Sequence, residues 1–148
     1  LVRPRLYENS TALPQVYFAD NIVVWDGDDR ELFLTMLEEE NFSRKSYIEC
    51  TGCPMGESSG HVSLVYSENG VLQATTTSST GGWLIYTESH LPGWIATVDG
   101  KRVPIRTANY LFQGIEVPEG DHEIEFRYVG SFALFLEKLG LRKIDDSS

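Results

Sequence analysis

The sequence has few basic residues, few cysteines and no long hydrophobic run. Its 148 residues include 12 Lys and Arg against 22 Asp and Glu, so the net charge is −10. This shortage of positive charge argues against nucleic acid, because phosphate backbones are held by clustered Lys and Arg. It argues equally against electrostatic docking of the chain on anionic lipid. No run of about 18 apolar residues occurs, so no segment is predicted to span a bilayer.

The first ten residues, LVRPRLYENS, lack the apolar core of a signal peptide. We therefore expect a piece of a larger protein, whose export signal would lie outside it. The length favours one domain, 1–148, with an ordinary apolar content of 41%. Within it, residues 1–60 are expected to pack on a β core formed by 61–130, and 131–148 form a tail.

The two cysteines, Cys50 and Cys53, lie three positions apart in a loop rich in Gly, Ser and Pro. A redox motif would need Cys50 at a helix N-terminus, and Pro54 and the serines that follow do not favour one. A zinc site needs four ligands, and only the distant His61, His90 and His122 could complete it. A local disulfide or two free thiols therefore fit best, and an exported location would favour the disulfide.

An acidic cluster, Asp26, Asp28 and Asp29, precedes an amphipathic stretch. The spacing of a calcium-binding EF-hand loop is absent, whereas Asp28 followed by Glu31 is typical of a helix N-terminal cap. The sequence thus predicts a helix over 29–39, and neither a metal nor a cofactor. Its apolar face would consist of Leu32, Phe33, Met36 and Leu37.

Most of the remaining chain alternates between short apolar runs and turns. Strands are predicted at 15–18, 22–25, 46–49, 61–67, 71–77, 82–87, 94–98, 101–106, 111–117 and 122–128. Asn69-Gly70 and Asp99-Gly100 are typical hairpin turns. The unbroken apolar run GWLIYT predicts a central strand that is covered on both faces.

In the last predicted strand, Ile124, Phe126 and Tyr128 should face inward. After it, Phe132, Phe135, Leu136 and Leu139 have the spacing of a short amphipathic C-terminal helix. We therefore predict a mainly β fold: an antiparallel β-sandwich, immunoglobulin-like or jelly-roll-like, with one helix in the N-terminal half and this second helix in the tail.

The segment LPGWIATVDGKRVPIRTANYLFQGIEVPEGDHEIEFRY, residues 91–128, resembles the C-terminal segment of YfhO-like bacterial membrane proteins. The shared residues are Pro92, Gly93, Trp94, Ala96, Val98, Asp99, Gly100, Lys101, Ile105, Ala108, Asn109, Tyr110, Leu111, Phe112, Gly114, Val117, Pro118, Gly120, His122, Phe126 and Tyr128. A shorter N-terminal block resembles the same family through Tyr7, Glu8, Asn9, Ala12, Leu13, Pro14 and Tyr17.

This resemblance implies a large multi-pass membrane protein with a fold like that of polyprenyl-phosphate-sugar-dependent glycosyltransferases. Its work would be glycosylation of cell-envelope polymers, with this domain on the extracytoplasmic face of the membrane. The catalytic acids of such enzymes lie near the N-terminus of the parent, so no catalytic residue is carried over to this chain. The family domain usually precedes a final membrane helix, whereas here Glu137, Lys138, Arg142 and Lys143 interrupt the apolar tail.

Two places in the family-like segment are candidates for ligand binding. One is the bend from Glu88 to Trp94 with His90, and the other is the 106–110 connection with Asn109 and Tyr110. Sugar sites combine a flat aromatic with a few polar groups, but aromatics also fill β cores, and Trp83, Tyr86 and Phe112 share that ambiguity.

Three functions follow from these residues. The first is an accessory domain that positions a glycan acceptor for a catalytic core in the membrane-spanning portion of the same polypeptide. The second is a stand-alone carbohydrate-binding module that binds cell-envelope glycan. The third is a purely structural or interaction domain. In each case the chain itself is not expected to be an enzyme, whereas its full-length parent is expected to be a membrane glycosyltransferase.

Overall fold

The structure, a computed structural model, describes residues 12–39 and 44–144. The Tyr7, Glu8 and Asn9 part of the N-terminal motif and the last four residues of the tail lie outside the described residues. The first half of the described chain contains β1 (Val16–Phe18), β2 (Asn21–Trp25), α1 (Asp29–Leu37), β3 (Lys45–Glu49), β4 (Gly56–Glu57), β5 (His61–Glu68) and β6 (Val71–Ser78). The second half contains β7 (Gly82–Tyr86), β8 (Trp94–Val98), β9 (Lys101–Val103), β10 (Arg106–Ala108), β11 (Phe112–Val117), β12 (Gly120–Tyr128) and α2 (Ser131–Lys138).

The strands form two sheets, which confirms the predicted mainly β sandwich. The large sheet has the order β1-β7-β11-β10-β3-β2-β4, and the small sheet has the order β5-β6-β12-β8-β9. Neighbouring strands are antiparallel except for β2 and β3, which are parallel and are joined through α1. That pair is the one departure from the predicted antiparallel pairing among the described strands, because a helix between two strands lets the second run in the same direction as the first.

The main core lies between the sheets. Each sheet contributes alternate side chains, as expected for strands with one face inward. The buried residues are Val16, Phe18, Leu72, Ala74, Leu84, Tyr86, Ala96, Val98, Ile115, Val117, Ile124 and Phe126.

The large sheet also has a second apolar cluster on its other face. In β7, Leu84 and Tyr86 belong to the main core, whereas Trp83 and Ile85 belong to the second cluster. β7 is paired on one side with β1 and on the other with β11. The prediction that GWLIYT is a central strand covered on both faces is therefore confirmed.

The two predicted hairpin turns are confirmed. Asn69 and Gly70 have φ of 53° and 76°, and they join β5 to β6. Asp99 and Gly100 have φ of 51° and 72°, and they join β8 to β9. Positive φ at both central positions is what this type of turn requires.

The predicted strand at 101–106 is wrong in one respect, because it is two strands in different sheets. β9 extends the small sheet at β8, whereas β10 pairs with β11 and β3 in the large sheet. Pro104 lies between them. Proline cannot donate a ladder hydrogen bond, so the pairing stops there and the chain crosses from one sheet to the other.

Helix α1 begins as predicted but does not bury its predicted face. The Asp28 carboxylate accepts hydrogen bonds from the Arg30 and Glu31 backbone N–H groups, which confirms the cap. Of the helix's apolar side chains, Leu32 is fully buried whereas Phe33 and Leu37 are exposed. The predicted apolar face of α1 is therefore mostly exposed to solvent.

The inward face predicted for the last strand is also wrong at one residue. In β12, Ile124 and Phe126 are buried as predicted, whereas Tyr128 is exposed.

Candidate functional site

The two candidate loops, the bend at 88–94 and the 106–110 connection, lie side by side. The His90 backbone N–H donates to the Leu111 carbonyl oxygen at 2.7 Å. The His90 Nδ1 atom lies 3.1 Å from the Thr107 hydroxyl oxygen. A third bond, from Gln113 Nε2 to the Ser89 carbonyl oxygen at 3.4 Å, closes the same contact. The bend after β7 therefore rests on the β10–β11 hairpin, and both candidate loops form one surface.

Asn109 anchors this hairpin from inside the protein. It is 3% exposed, and its Oδ1 atom accepts a 2.8 Å hydrogen bond from the Tyr47 backbone N–H. Its Nδ2 atom donates to the Ser46 hydroxyl at 3.1 Å and to the Tyr17 hydroxyl at 3.3 Å. Asn109 therefore fastens the turn to β3 and β1, and a direct contact of its side chain with a ligand stays a prediction.

Tyr110 is presented outward by the same turn. Asn109 and Tyr110 have φ of 48° and 67°, a left-handed conformation that non-glycine residues adopt only under local constraint. The Tyr110 ring is exposed and lies 5.8 Å from the ring centroid of Phe33 on α1. Leu111 and Leu91 are exposed beside it. We name Phe33, Leu91, Tyr110 and Leu111 the loop surface.

The bend also lines a groove of about 380 Å³, and we name it the bend groove. The bend, β8, β9 and α2 all contribute residues to its lining. It is lined by His90, Leu91, Pro92, Gly93, Trp94, Ile95, Arg102, Val103, Ile105, Leu134, Glu137 and Lys138. His90 and Trp94 of the predicted site lie in this groove. Glu88 is exposed outside its lining, where its Oε1 atom accepts from the Ser89 backbone N–H.

The bend is fixed to the start of α2 by its Pro-Gly pair. The Gly93 carbonyl oxygen accepts from the Val129 backbone N–H at 2.7 Å, and the Ser131 hydroxyl donates to the Pro92 carbonyl oxygen at 2.7 Å. Gly93 has φ of 119°, and a Cβ atom there would lie 2.6 Å from the Tyr128 ring. Only glycine meets both requirements, so the groove wall depends on this residue.

Trp94 links the groove to the core. Its ring centroid lies 5.8 Å from that of Tyr86 and 5.4 Å from that of Tyr128. The side chain is partly buried and packs against the main core, yet it also lines the groove. Both sequence interpretations of Trp94, as a core aromatic and as part of a binding surface, are therefore compatible with its position.

Two of the groove's polar residues could not be found from sequence patterns. Arg102 on β9 pairs with Glu137 on α2 at 2.9 Å, and the two residues lie 35 positions apart. The hydrogen bond from Arg102 lowers the pKa of Glu137, so that carboxylate is charged at neutral pH. Burial lowers the pKa of His90, so its imidazole is neutral there. Because His90 Nδ1 is engaged with Thr107, the neutral ring has Nε2 left to donate or to accept according to its tautomer, beside a charged donor and a charged acceptor.

The cysteines lie away from the lining of this groove. Cys50 and Cys53 are bonded to each other as a disulfide, and both pack in or against the second cluster of the large sheet. The Trp83 indole N–H donates to the Pro54 carbonyl oxygen at 3.4 Å, which holds the loop over that cluster. Within residues 12–39 and 44–144, no three metal-ligating side chains come together.

A family model described as bacterial membrane protein YfhO matches residues 57–136, which is more than half of the chain. The match contains the small sheet and both candidate loops. No curated protein and no solved structure matches the chain. Among the described helices, none is long and apolar enough to cross a membrane. The resemblance seen in residues 91–128 is confirmed, and the chain belongs to the YfhO family of bacterial membrane proteins.

Proposed function

We propose that this chain is an extracytoplasmic accessory domain of a YfhO-like membrane glycosyltransferase, and that it positions a cell-envelope glycan acceptor in the bend groove. The chemistry of sugar transfer would belong to the membrane-spanning portion of the same polypeptide. The observation that carries the proposal is the convergence of Trp94, His90 and the Arg102–Glu137 pair on one groove.

These groups suit a sugar. Aromatic surface covers the apolar C–H faces of a pyranose, and hydroxyl groups need partners that both donate and accept. In the neutral His90, Nδ1 is engaged with the Thr107 hydroxyl, so Nε2 provides one of these functions, and the Arg102–Glu137 pair adds one fixed donor and one fixed acceptor. The volume of about 380 Å³ falls in the range of small-ligand sites.

Two further observations support the location and the partner. Disulfides persist in oxidising compartments, and the Cys50–Cys53 bond fits an extracytoplasmic position. The loop surface adds exposed apolar side chains next to the groove, and we assign it to contact with the membrane-spanning portion of the same polypeptide.

The test is a titration of the chain with oligosaccharides released from bacterial envelope polymers, followed by backbone amide NMR shifts. Saturable shifts are expected around His90, Trp94 and Arg102. Arg102→Ala should weaken binding at least tenfold, because it removes a charged donor and frees Glu137 from its partner. Arg106→Ala is the matched control, since Arg106 is exposed on β10 and does not line the groove.

The same two variants in the full-length parent separate the remaining functions. Loss of sugar transfer with Arg102→Ala but not with Arg106→Ala supports acceptor positioning. Saturable glycan binding by the chain with unchanged transfer in both parents would identify a stand-alone carbohydrate-binding module instead. If no glycan produced a response, the proposal would be wrong, and a purely structural or interaction domain would be the function that remains.

A further inference from the structure

The outer face of the small sheet carries a polar cleft that, among the described residues, shares no lining residue with the bend groove. Its volume is about 520 Å³, and we name it the sheet cleft. Ala74, Ala96 and Ile124 of the three central strands point into the main core. Because side chains alternate along a strand, the residues next to them face outward, and several of these line the cleft. They are Gln73, Thr75, Thr97, Glu123 and Glu125.

Some of these side chains belong to a row that crosses all five strands of the small sheet. The register places Gln73 of β6 opposite Glu125 of β12, and Glu125 opposite Thr97 of β8. The row continues at one end to Tyr66 of β5 and at the other end to Arg102 of β9. With about 4.8 Å between neighbouring strands, the row is about 19 Å long. Arg102 also lines the bend groove, so the sheet cleft and the bend groove meet at the pair formed by Thr97 and Arg102.

Thr97, at this junction, has a hydroxyl group that the protein does not use. The residue is 4% exposed and lines the sheet cleft. Its hydroxyl forms no hydrogen bond with another described residue. Because the fold covers the rest of the side chain, a partner can reach the hydroxyl only from the cleft. A hydroxyl group can donate one hydrogen bond and accept two, so this group is available to a ligand.

The polar groups beside Thr97 are held in place by the protein. Gln73 Nε2 donates to Glu125 Oε2 at 2.9 Å, and Arg102 pairs with Glu137 at 2.9 Å. At the far end of the row, Tyr66 is 42% exposed and presents its ring on the same face. Side chains that are already ordered lose little entropy when a ligand binds. Fixed polar groups next to an aromatic surface therefore suit a sugar here as they do in the bend groove.

Charge favours a neutral ligand in the sheet cleft. Of the three carboxylates that line it, Asp99 pairs with His122 at 2.7 Å and Glu125 pairs with Arg127 at 3.3 Å. The third carboxylate, Glu123, is exposed. Paired charges with one exposed carboxylate do not attract phosphate or uronate groups. The amide, hydroxyl and carboxylate groups of the cleft can instead donate to and accept from the hydroxyls of a neutral sugar.

We propose that the sheet cleft extends the bend groove into one binding surface, and that this surface takes a single neutral oligosaccharide of several sugar units. One end of the oligosaccharide would lie against Trp94 in the bend groove, and its other sugars would follow the row from Arg102 past Thr97 to Tyr66. The inference rests on the proposed function, because it identifies the glycan acceptor as an extended neutral chain.

The test uses oligosaccharides released from bacterial envelope polymers, separated by length and into neutral and acidic pools. Titration calorimetry gives the affinity of the chain for each pool, and backbone amide NMR shifts locate the contact. Neutral oligosaccharides of about five units should bind at least tenfold more tightly than disaccharides, because they reach both the groove and the cleft. Disaccharides should shift the amides of His90 and Trp94, whereas the long neutral oligosaccharides should also shift those of Thr75 and Thr97. Acidic oligosaccharides should gain less affinity from length.

Three variants make the test specific. Thr97→Val and Tyr66→Ala should each weaken binding of the long neutral oligosaccharides about fivefold and leave disaccharide binding unchanged. Valine keeps the β-branched shape of threonine, so Thr97→Val should keep the fold and the unfolding temperature of the wild type. Thr77→Val is the matched control, because Thr77 is exposed on β6 and does not line the cleft.

Equal affinity for short and long oligosaccharides, with shifts confined to the bend groove, would overturn this inference and leave the proposed function standing. So would a Thr77→Val control that loses as much affinity as the two cleft variants. Tighter binding of the acidic pool would overturn the assignment of a neutral ligand. Shifts in the sheet cleft without shifts at His90 and Trp94 would contradict the proposed function itself, and with it the single ligand that spans both surfaces.

Discussion

At the scale of single residues, Asn109 meets two separate requirements of the hairpin beside the bend groove. Its backbone takes φ of 48°, and its buried amide satisfies the Tyr47 backbone N–H together with two hydroxyl groups. Asparagine tolerates the left-handed region better than other non-glycine residues, because its short polar side chain forms local hydrogen bonds. The presence of asparagine at this position of the family-like motif is therefore explained by its structural role.

The two requirements can be separated with a pair of substitutions. Asn109→Gly keeps the backbone conformation and loses the hydrogen bonds, so it should lower the free energy of unfolding by about 2 kcal/mol. Asn109→Ala loses the bonds and also carries the strain, so we expect about 3 kcal/mol. Urea unfolding measures both values. Equal values would show that backbone strain is negligible, and a change below about 0.5 kcal/mol in both would refute the anchoring role.

His122 and Asp99 form a charged pair at the β8–β9 turn. The His122 Nδ1 atom lies 2.7 Å from Asp99 Oδ2, and its Nε2 atom lies 3.0 Å from the Glu119 carbonyl oxygen. Both partners accept, so both ring nitrogens donate and the ring is an imidazolium in this arrangement. The bonds to Asp99 and Glu119 raise the pKa of His122, and bonds from the Glu123 N–H and His122 lower that of Asp99.

The pair therefore makes stability depend on pH. The raised pKa of His122 gives a contribution that is complete below 6.5, its ordinary value, and is lost as pH rises through the folded pKa. The lowered pKa of Asp99 gives a contribution that is present above 3.8, its ordinary value, and is lost as pH falls through the folded pKa. The difference in unfolding temperature between wild type and His122→Gln should be largest near pH 5 to 6 and should shrink toward pH 9. A difference that grows with pH would contradict this assignment.

At the scale of elements, the bend before β8 depends on one glycine. Gly93 has φ of 119°, and an added Cβ would lie 2.6 Å from the Tyr128 ring and 2.9 Å from the Gly130 backbone. Gly93→Ala should therefore lower the free energy of unfolding by at least about 2 kcal/mol, and it should loosen the bend from α2. Gly100→Ala is the control, because Gly100 also has positive φ but nothing lies within 4 Å of its added Cβ.

Denaturant unfolding and hydrogen exchange of residues 129–139 measure the two effects. The control should carry backbone strain alone and leave α2 protected. If Gly93→Ala and Gly100→Ala behave alike, contact between the bend and α2 does not hold the groove wall.

Local patterns predicted most elements, and contacts between distant segments account for what they missed. Alternation and hairpin dipeptides located nearly every strand, because those signals act within a few residues. The two-residue β4 lies in a stretch predicted as loop, and it forms by pairing with Asn21 and Ile22. The change of sheet at Pro104 and the exposure of Phe33 on α1 depend on which distant segments of the chain pack against these residues. Two residues of the bend groove, His90 and Trp94, were predicted because they lie in the family-like bend. Arg102 and Glu137 were not, because they are distant in sequence and meet only in the folded chain.

At the scale of the whole molecule, the main core couples the two sheets. Leu84 of β7 is fully buried in the same cluster as Phe126 of β12 and Ala96 of β8. Neither sheet can bury this face without the other. The prediction of one domain over 1–148 therefore implies that both sheets unfold in a single transition.

Leu84→Ala tests this coupling directly. Removing the buried side chain should lower the free energy of unfolding by about 3 kcal/mol, because the core cannot fill the cavity completely. Leu64→Ala is the matched control on β5, where the side chain is exposed, and it should change stability by about 0.5 kcal/mol or less. Far-ultraviolet circular dichroism reports all strands, while tryptophan fluorescence reports Trp25 and Trp83 in the large sheet and Trp94 in the small sheet. The two signals should give one midpoint in wild type and in Leu84→Ala. Separate midpoints would show that the sheets are independent units, and the bend groove would then stand on the small sheet and α2 without support from the large sheet.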